Sequence, residues 1–247
     1  MFPTAPSDRL RSFVLAQSDT VEPNGLWYLL TEFFESRDVP LVSYHHYPPI
    51  GTHDHAVSIR TEGFPDDWVC RYVGDELIKV DPIPGFALRS VRPFFWSEVG
   101  QLGNLVAEQQ AFMGELASSG VGDGIAVQVF GPGLRNGYFG LGFGGRKRPI
   151  SSEEIGEWQM VCQMAHLRFC DLMPPTPVLD FGLSPREREV LEWIARGKSN
   201  SVIGDILELS THTVDAYLRR IFTKLEVSDR TTAAIKGVGS GLIRGEV

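Results

Sequence analysis

No run of about 18 apolar residues occurs in this 247-residue chain, so no membrane-spanning helix is expected. Its first residues, MFPTAPSDRLRSF, lack an apolar signal core, which points to a protein that stays in the cytoplasm. Cysteine is scarce. Cys70, Cys162 and Cys170 are odd in number and show no metal or redox spacing. Three unpaired thiols fit a reducing compartment and exclude a disulfide-stapled scaffold. No catalytic triad, P-loop or metalloprotease helix is present, and neither is an internal repeat or a low-complexity segment. A phosphoryl-receiver front end is disfavoured, because no acidic pair and phospho-acceptor Asp follow the expected strands. What remains is a globular mixture, 43% hydrophobic and 22% charged, with material for two cores.

The segment Leu183–Leu225, LSPREREVLEWIARGKSNSVIGDILELSTHTVDAYLRRIFTKL, is dense with helix punctuation. Ser184 can cap a helix, Pro185 fits its first position and Glu187 completes a capping box. Val190, Leu191, Ile194 and Ala195 give a core stripe, and Gly197 stops the helix. A short helix follows with Ile203, Ile206 and Leu207 as its buried side, then a turn ending on the N-cap Ser210. The next helix turns Val214, Leu218, Ile221, Phe222 and Leu225 inward. His212, Thr213, Asp215, Ala216, Arg219 and Arg220 face away. Two short helices joined by a tight turn, the second exposing small, polar and basic groups, predict a recognition helix for a DNA major groove. Thr211, His212, Thr213 and Asp215 are candidates nearest the groove, with Arg219, Arg220 and Lys224 for phosphate or base. Lys198 and Ser199 join this set, Lys198 being equally readable as a solvated side chain. A further helix, Thr231–Val238, could make a dimer contact.

A net charge of −8 suits phosphate poorly, but the acidity is unevenly placed. Residues 181–247 carry ten Lys/Arg against nine Asp/Glu, and residues 1–180 carry thirteen against twenty-two. A DNA module this weakly basic implies dependence on dimerisation. The boundary is legible at Pro174-Pro175-Thr176-Pro177, an extended linker. It divides residues 1–173 from 183–247, with 174–182 between. Upstream, Ser151–Met173 reads as a helix burying Ile155, Trp158, Val161, Cys162, Ala165 and Phe169. Strands are expected at Leu41–Tyr47, His55–Arg60, Ile125–Phe130 and Tyr138–Gly144, with Asn136-Gly137 as a hairpin turn. Helices are expected near 7–19, 25–36, 65–79 and 106–118. The fold class is therefore an α+β domain with an antiparallel sheet flanked by helices, followed by an all-α four-helix helix-turn-helix domain.

In the first domain, Trp68 and Tyr72 lie four residues apart on one helix face. Asp81-Pro82, Trp96 and Gly124 follow. An indole N–H, a phenol and a carboxylate among aromatics suit a pocket for an amphiphilic small molecule. Spacing alone leaves them equally readable as core aromatics and a turn. His45, His46, His53 and His55 with Asp54 suggest a metal cluster, but neighbours on an alternating strand point apart and no further ligands appear.

The whole chain resembles the LuxR family of acyl-homoserine-lactone-responsive transcription regulators. LSPREREVLEWIARGKSN, STHTV and KLEVSDR carry the C-terminal likeness; Trp68, Tyr72, Asp81, Pro82, Trp96 and Gly124 carry the N-terminal one. The resemblance implies that Trp68 donates to a lactone carbonyl and Asp81 accepts from the ligand amide. Tyr72 and Trp96 would line the acyl and lactone sides. It also implies a homodimer on palindromic promoter DNA, RNA polymerase as a further partner, no cofactor and no enzymatic activity. There are departures. Phe64 stands where many members have a Tyr that holds the acyl carbonyl. Gly140 and Gly142 stand where many carry Ser or Thr, which suggests more room and a long or bulky, unsubstituted acyl group. Val202, Asp215 and Tyr217 also depart, and Asp215 on the groove face would accept from cytosine or repel phosphate. Two alternatives stay open: a regulator answering another amphiphile or none, and a metal-dependent enzyme fused to a DNA module.

Overall fold

A computed structural model describes residues 8–47, 58–74, 77–146, 149–173 and 181–243. Among these, two compact units separate at Met173. The expected linker at Pro174–Pro177 and the residues His53, Asp54 and His55 lie outside the described residues.

The first unit is built on one antiparallel sheet of β1 (Leu41–His46), β2 (Ser58–Glu62), β3 (Phe94–Phe95), β4 (Gly124–Val129) and β5 (Gly137–Gly142), in the order β2-β1-β5-β4-β3. Alternation along the strands gives it two different faces. Val42, Tyr44, Ile125, Val127, Val129, Phe139 and Leu141 point to one, where they pack with Trp158, Val161, Cys162 and Ala165. The helices on that face are α1 (Asp8–Asp19), α2 (Pro23–Glu35) and α7 (Ser152–Leu172). Leu41, Ala126 and Tyr138 point the other way. They meet α3 (Asp66–Gly74), α4 (Pro82–Ala87), α5 (Val99–Leu102) and α6 (Ala107–Ser118).

Two expectations need correction here. The helix expected over 65–79 ends at Gly74, and Leu77–Lys79 is a single 3₁₀ turn. Asn136-Gly137 is not the hairpin turn itself. The chain between β4 and β5 runs through a 3₁₀ turn at Pro132–Leu134, with Leu134 left-handed at φ 62°. Gly137 instead opens β5 close beneath β1, where a Cβ would sit 2.5 Å from the His45 carbonyl oxygen.

The second unit comprises α8 (Pro185–Ala195), α9 (Asn200–Leu207), α10 (Thr211–Leu225) and α11 (Arg230–Gly239). Ser184 Oγ accepts from Glu187 N at 3.3 Å while Glu187 Oε2 accepts from Ser184 N at 2.7 Å, the expected capping box. Gly197, at φ 72°, ends α8 as expected. Val190, Leu191, Ile203, Val214, Ile221 and Leu225 close the core. Ile206, expected inside, is exposed; Gly204 takes the contact instead. A Cβ there would lie 2.7 Å from the Leu209 carbonyl, so the α9–α10 turn can close against the α9 backbone because no side chain intervenes.

Under the α7 face a polar cluster is fully enclosed. His166 Nε2 lies 2.8 Å from the Arg135 carbonyl oxygen, which can only accept, so Nε2 carries the proton. Nδ1 then accepts from the Tyr44 hydroxyl at 2.8 Å. Arg135 Nη1 donates to the Cys170 carbonyl at 2.7 Å, locking the loop to α7. Burial holds the His166 imidazole down to about 4.

Replacing His166 with Phe strands the Tyr44 hydroxyl and the Arg135 carbonyl, so urea unfolding at neutral pH should show a loss of about 1–3 kcal/mol. The folded imidazole sits near 4, below its ordinary 6.5, so the unfolded chain binds more protons in that window. Stability held above the higher value is therefore lost as pH falls toward the lower one. The gap between wild type and His166→Phe should narrow over that range; a constant gap refutes the assignment.

Candidate functional site

The second sheet face and the α3–α6 layer enclose a cavity. It is a narrow slot with a cavity volume of about 50 Å³. Phe64, Trp68, Val69, Tyr72 and Val73 line it from α3 and the segment before it, Asp81 and Ile83 from the start of α4, and Phe112 and Leu116 from α6. The sheet contributes Ser43, His45, Ile59, Thr61 and Tyr138, and Trp96 closes another wall. Five of the seven sequence-predicted residues (Phe64, Trp68, Tyr72, Asp81 and Trp96) are thus brought to one space.

Asp81 is its electrostatic centre. The carboxylate caps α4, accepting from Ile83 N through Oδ1 at 2.8 Å, and accepts the Tyr72 hydroxyl through Oδ2 at 2.8 Å. Burial pushes this carboxyl up to about 7, against the downward pull of those two bonds. Burial above all, with the Asp81 charge adding to it, raises the phenols of Tyr47 and Tyr138 nearby. Two occupied lone pairs leave a carboxylate with acceptor capacity for one further N–H.

Pro82 and Gly124 do not line the cavity. Pro82 is the buried first residue of α4, set by the Asp81 cap. Gly124 acts through Trp96, because a Cβ on it would lie 2.6 Å from Trp96 Cη2. Gly140 and Gly142 do the same, at 3.2 Å from Trp96 Cζ2 and 3.1 Å from Cη2. The space at these glycines, read from the sequence as room for a bulky acyl group, is filled by the Trp96 indole. No open space is left at these glycines for a bulkier acyl group.

Sequence reasoning missed the sheet floor. His45, a candidate metal ligand by sequence, instead stacks its ring on Tyr138 at 4.4 Å, with Nε2 3.2 Å from the Tyr138 hydroxyl. His46 points to the opposite face, toward His166 and Phe169, as alternation required. Among the described residues no group of His, Cys, Asp and Glu is placed to hold a metal. The signal that could have found His45 and Tyr138 was their shared parity with Ser43 and Gly140.

In the second unit Ser210 caps α10 through Thr213 N at 3.1 Å. Thr211, His212, Arg219 and Arg220 are exposed on α10, with Thr213 and Asp215 half-buried. The Arg220 guanidinium lies 5.7 Å from the Tyr217 ring centroid. Ser199 is the exposed N-cap of α9, with Lys198 exposed beside it. Two assignments change. Asp215 is not a free groove carboxylate: Asn200 Nδ2 donates to it, and Arg230 Nη1 donates to Asn200 Oδ1 at 3.3 Å. Lys224, half-buried, is engaged within the unit, donating to Glu187 Oε2 and to the Gly182 carbonyl, both at 2.7 Å. Burial pushes the Glu187 carboxyl upward, but Lys224 and Ser184 outweigh it and hold it below its ordinary range.

Residues 22–169 match the family described as autoinducer binding domain, and residues 182–236 match bacterial regulatory proteins, luxR family. The HTH-type quorum sensing-dependent transcriptional regulator RpaR of Rhodopseudomonas palustris is 31% identical over 182 residues, 74% of each chain. Regulatory protein SdiA of Escherichia coli is 26% identical over 185 residues, covering 73% of this chain and 74% of that one. A crystal structure of Escherichia coli SdiA matches with TM-score 0.71 and 20% identity over 94% of this chain and 97% of that one. SdiA in complex with octanoyl-rac-glycerol matches with TM-score 0.71 and 20% identity over 98% of both. These two likenesses bear on the fold.

Two experiments check the geometry. In the ligand-free chain Asp81 holds its proton up to about 7, above the ordinary 3.8, so its contribution to stability is full below the lower value and is lost as pH rises through the higher. Asp81→Asn should therefore gain on wild type as pH rises across that window, and parallel profiles contradict the burial argument. Lys224→Met should lower the melting temperature by leaving Glu187 unpaired, without changing the salt slope of DNA binding. Arg219→Ala and Arg220→Ala should each lower that slope by about 1 with the fold intact. A slope change in Lys224→Met, with no loss of stability, restores Lys224 to the phosphate-facing set.

Proposed function

The chain belongs to the LuxR family of quorum-sensing transcriptional regulators, joining an autoinducer-binding domain to a LuxR-type helix-turn-helix, and from that premise we propose that its effector is an N-acyl-homoserine lactone held in the α3–α6 cavity. The observation that carries this reading is Asp81. A buried carboxylate in an apolar slot, with two donors in place and acceptor capacity left over, suits one amide N–H. Trp68 would donate its indole N–H to the lactone carbonyl, with Phe64 and Trp96 against the ring. The acyl chain would run along Val69, Phe112 and Leu116, each buried CH₂ adding about 0.8 kcal/mol.

The regulator would act in the cytoplasm as a homodimer on a palindromic promoter, each recognition helix addressing one half-site beside RNA polymerase. An exposed apolar strip supports the dimer. Met160 and Leu167 lie on α7, seven residues apart and so on one helix face, and both are exposed. Exposed Phe130 is tied to the same helix by Gln163, which donates to its carbonyl at 2.7 Å and accepts its amide at 3.0 Å. The exposed basic groups Lys198, Arg219 and Arg220 would meet phosphate or base edges, with Thr211, His212 and Thr213 nearer the groove. Phe64, which offers no hydroxyl to a ligand carbonyl, favours a second reading in which another acyl amphiphile is the effector. SdiA, a relative, has been solved with octanoyl-rac-glycerol.

The test is a thermal-stability series of the full chain against lactones of graded acyl length. A fitting lactone at a hundredfold excess over its Kd should stabilise the fold by about 2.7 kcal/mol. Asp81→Asn, which turns one acceptor oxygen into a donor, should weaken it at least about tenfold, about 1.4 kcal/mol. No shift with any lactone, together with an unchanged Asp81→Asn variant, removes the lactone from the proposal.

A further inference from the structure

The strand register sets the sheet floor of the cavity in rows. Thr61, Ser43 and Gly140 form one row across β2, β1 and β5, and Ile59, His45 and Tyr138 form the next. Rows on one face are two residues apart, about 7 Å along the strand. The Gly140 row carries the edge of the Trp96 indole. The second row presents an imidazole and a phenol to a slot whose helical walls, Val69, Phe112 and Leu116, are apolar.

His45 is 3% exposed, and its Nδ1 has no hydrogen-bond partner. Burial holds its imidazole down to about 3, so the ring is neutral and carries one N–H and one lone pair. Nε2 is engaged with Tyr138. If Tyr138 donates to Nε2, Nδ1 is an N–H donor; if Tyr138 accepts, Nδ1 is a lone pair. A plain alkyl chain satisfies neither state and leaves a buried polar atom orphaned, which is costly. A carbonyl oxygen serves the first state and an ammonium the second. A hydroxyl both donates and accepts, so it serves either.

Resting on the lactone reading above, we infer that the effector's acyl group carries a hydroxyl received by the His45–Tyr138 pair. The rest of the acyl group stays apolar against α3 and α6. This reverses the plain acyl chain suggested by the glycines of β5, whose space Trp96 takes.

The experiment titrates the full chain with pairs of acyl-homoserine lactones matched in length, one alkyl and one hydroxylated at successive carbons, reading affinity from thermal shift and calorimetry. At least one hydroxylated lactone should bind about tenfold or more tightly than its alkyl match. His45→Phe keeps a flat ring on Tyr138 and should erase that preference, bringing each hydroxylated lactone to the affinity this variant shows for its alkyl match. Tyr138→Phe removes a single oxygen and should reduce the preference; it carries the test if His45→Phe does not fold. Alkyl lactones that bind as tightly as every hydroxylated match, or a preference that survives both substitutions, overturn the inference and leave the lactone reading standing. Binding by neither kind of lactone overturns both.

Discussion

A carboxyl group sealed from water at Asp81 is the constraint around which the ligand-binding unit is organised. Burial opposes its charge, and the fold answers with two donors, the Tyr72 hydroxyl and the Ile83 amide. The first requires α3 to sit with its second turn over the start of α4. The second requires α4 to begin at Pro82. Helices of nine and six residues are marginal by themselves in water. Here the cap, the proline and the buried bond fix where one begins and how the other lies. The slot between them follows from the same geometry. Its lining is mostly apolar, with Asp81, Tyr72, His45 and Tyr138 as titratable groups and Ser43 and Thr61 as hydroxyls on the sheet floor.

Much of this was legible in the sequence wherever a residue's local job and its distant job agree. Ser184 and Glu187 form the capping box that their spacing announces, and Ser151 begins α7 in the same way. Trp68 and Tyr72 share a face because four residues make about one helical turn. Illegible parts were those whose reason lies across the sheet. Gly140 and Gly142 read as open space, since nothing in their own strand reveals that Trp96, more than forty residues earlier, lies on them. By sequence His45 belongs with His46, His53, His55 and Asp54, while its true neighbour, Tyr138, is fixed by strand register. β3 and α5 are too short for any periodicity to show. Ile206 looked buried because helical spacing cannot tell which of two apolar rows meets the core, and Gly204 decides it.

The DNA-binding unit shows why a count of basic residues overstates basic surface. Lys224 neutralises Glu187, and Arg230 donates to Asn200 and to the Lys198 carbonyl. Arg186 pairs with Glu189 and donates to the Leu207 carbonyl, closing the end of α9. Each holds one helix of the unit to another. Asp215 belongs to this internal network as well, through Asn200, so its charge is answered from within. Among the described residues the cations left to meet phosphate are few, and a surface with few counterions to release gains affinity chiefly by being doubled.

The glycine bed under Trp96 also constrains how such a receptor can change. Placing a hydroxyl-bearing residue at Gly140 brings a new Cβ within 2.5 Å of Ser43 Oγ and 3.2 Å of the indole, and at Gly142 within 3.0 Å of Leu41 Cβ. A single step toward a more polar β5 therefore collides before it can contact any effector. The ring, Ser43 or Leu41 must shift first, so that route to a new signal depends on how far those side chains can give way. Strand β1 has no such gate, since Ser43 and His45 face the slot with side chains already in place. Drift in which signal is heard is easier there, on the strand in the middle of the floor, than at the glycines that look most open to change.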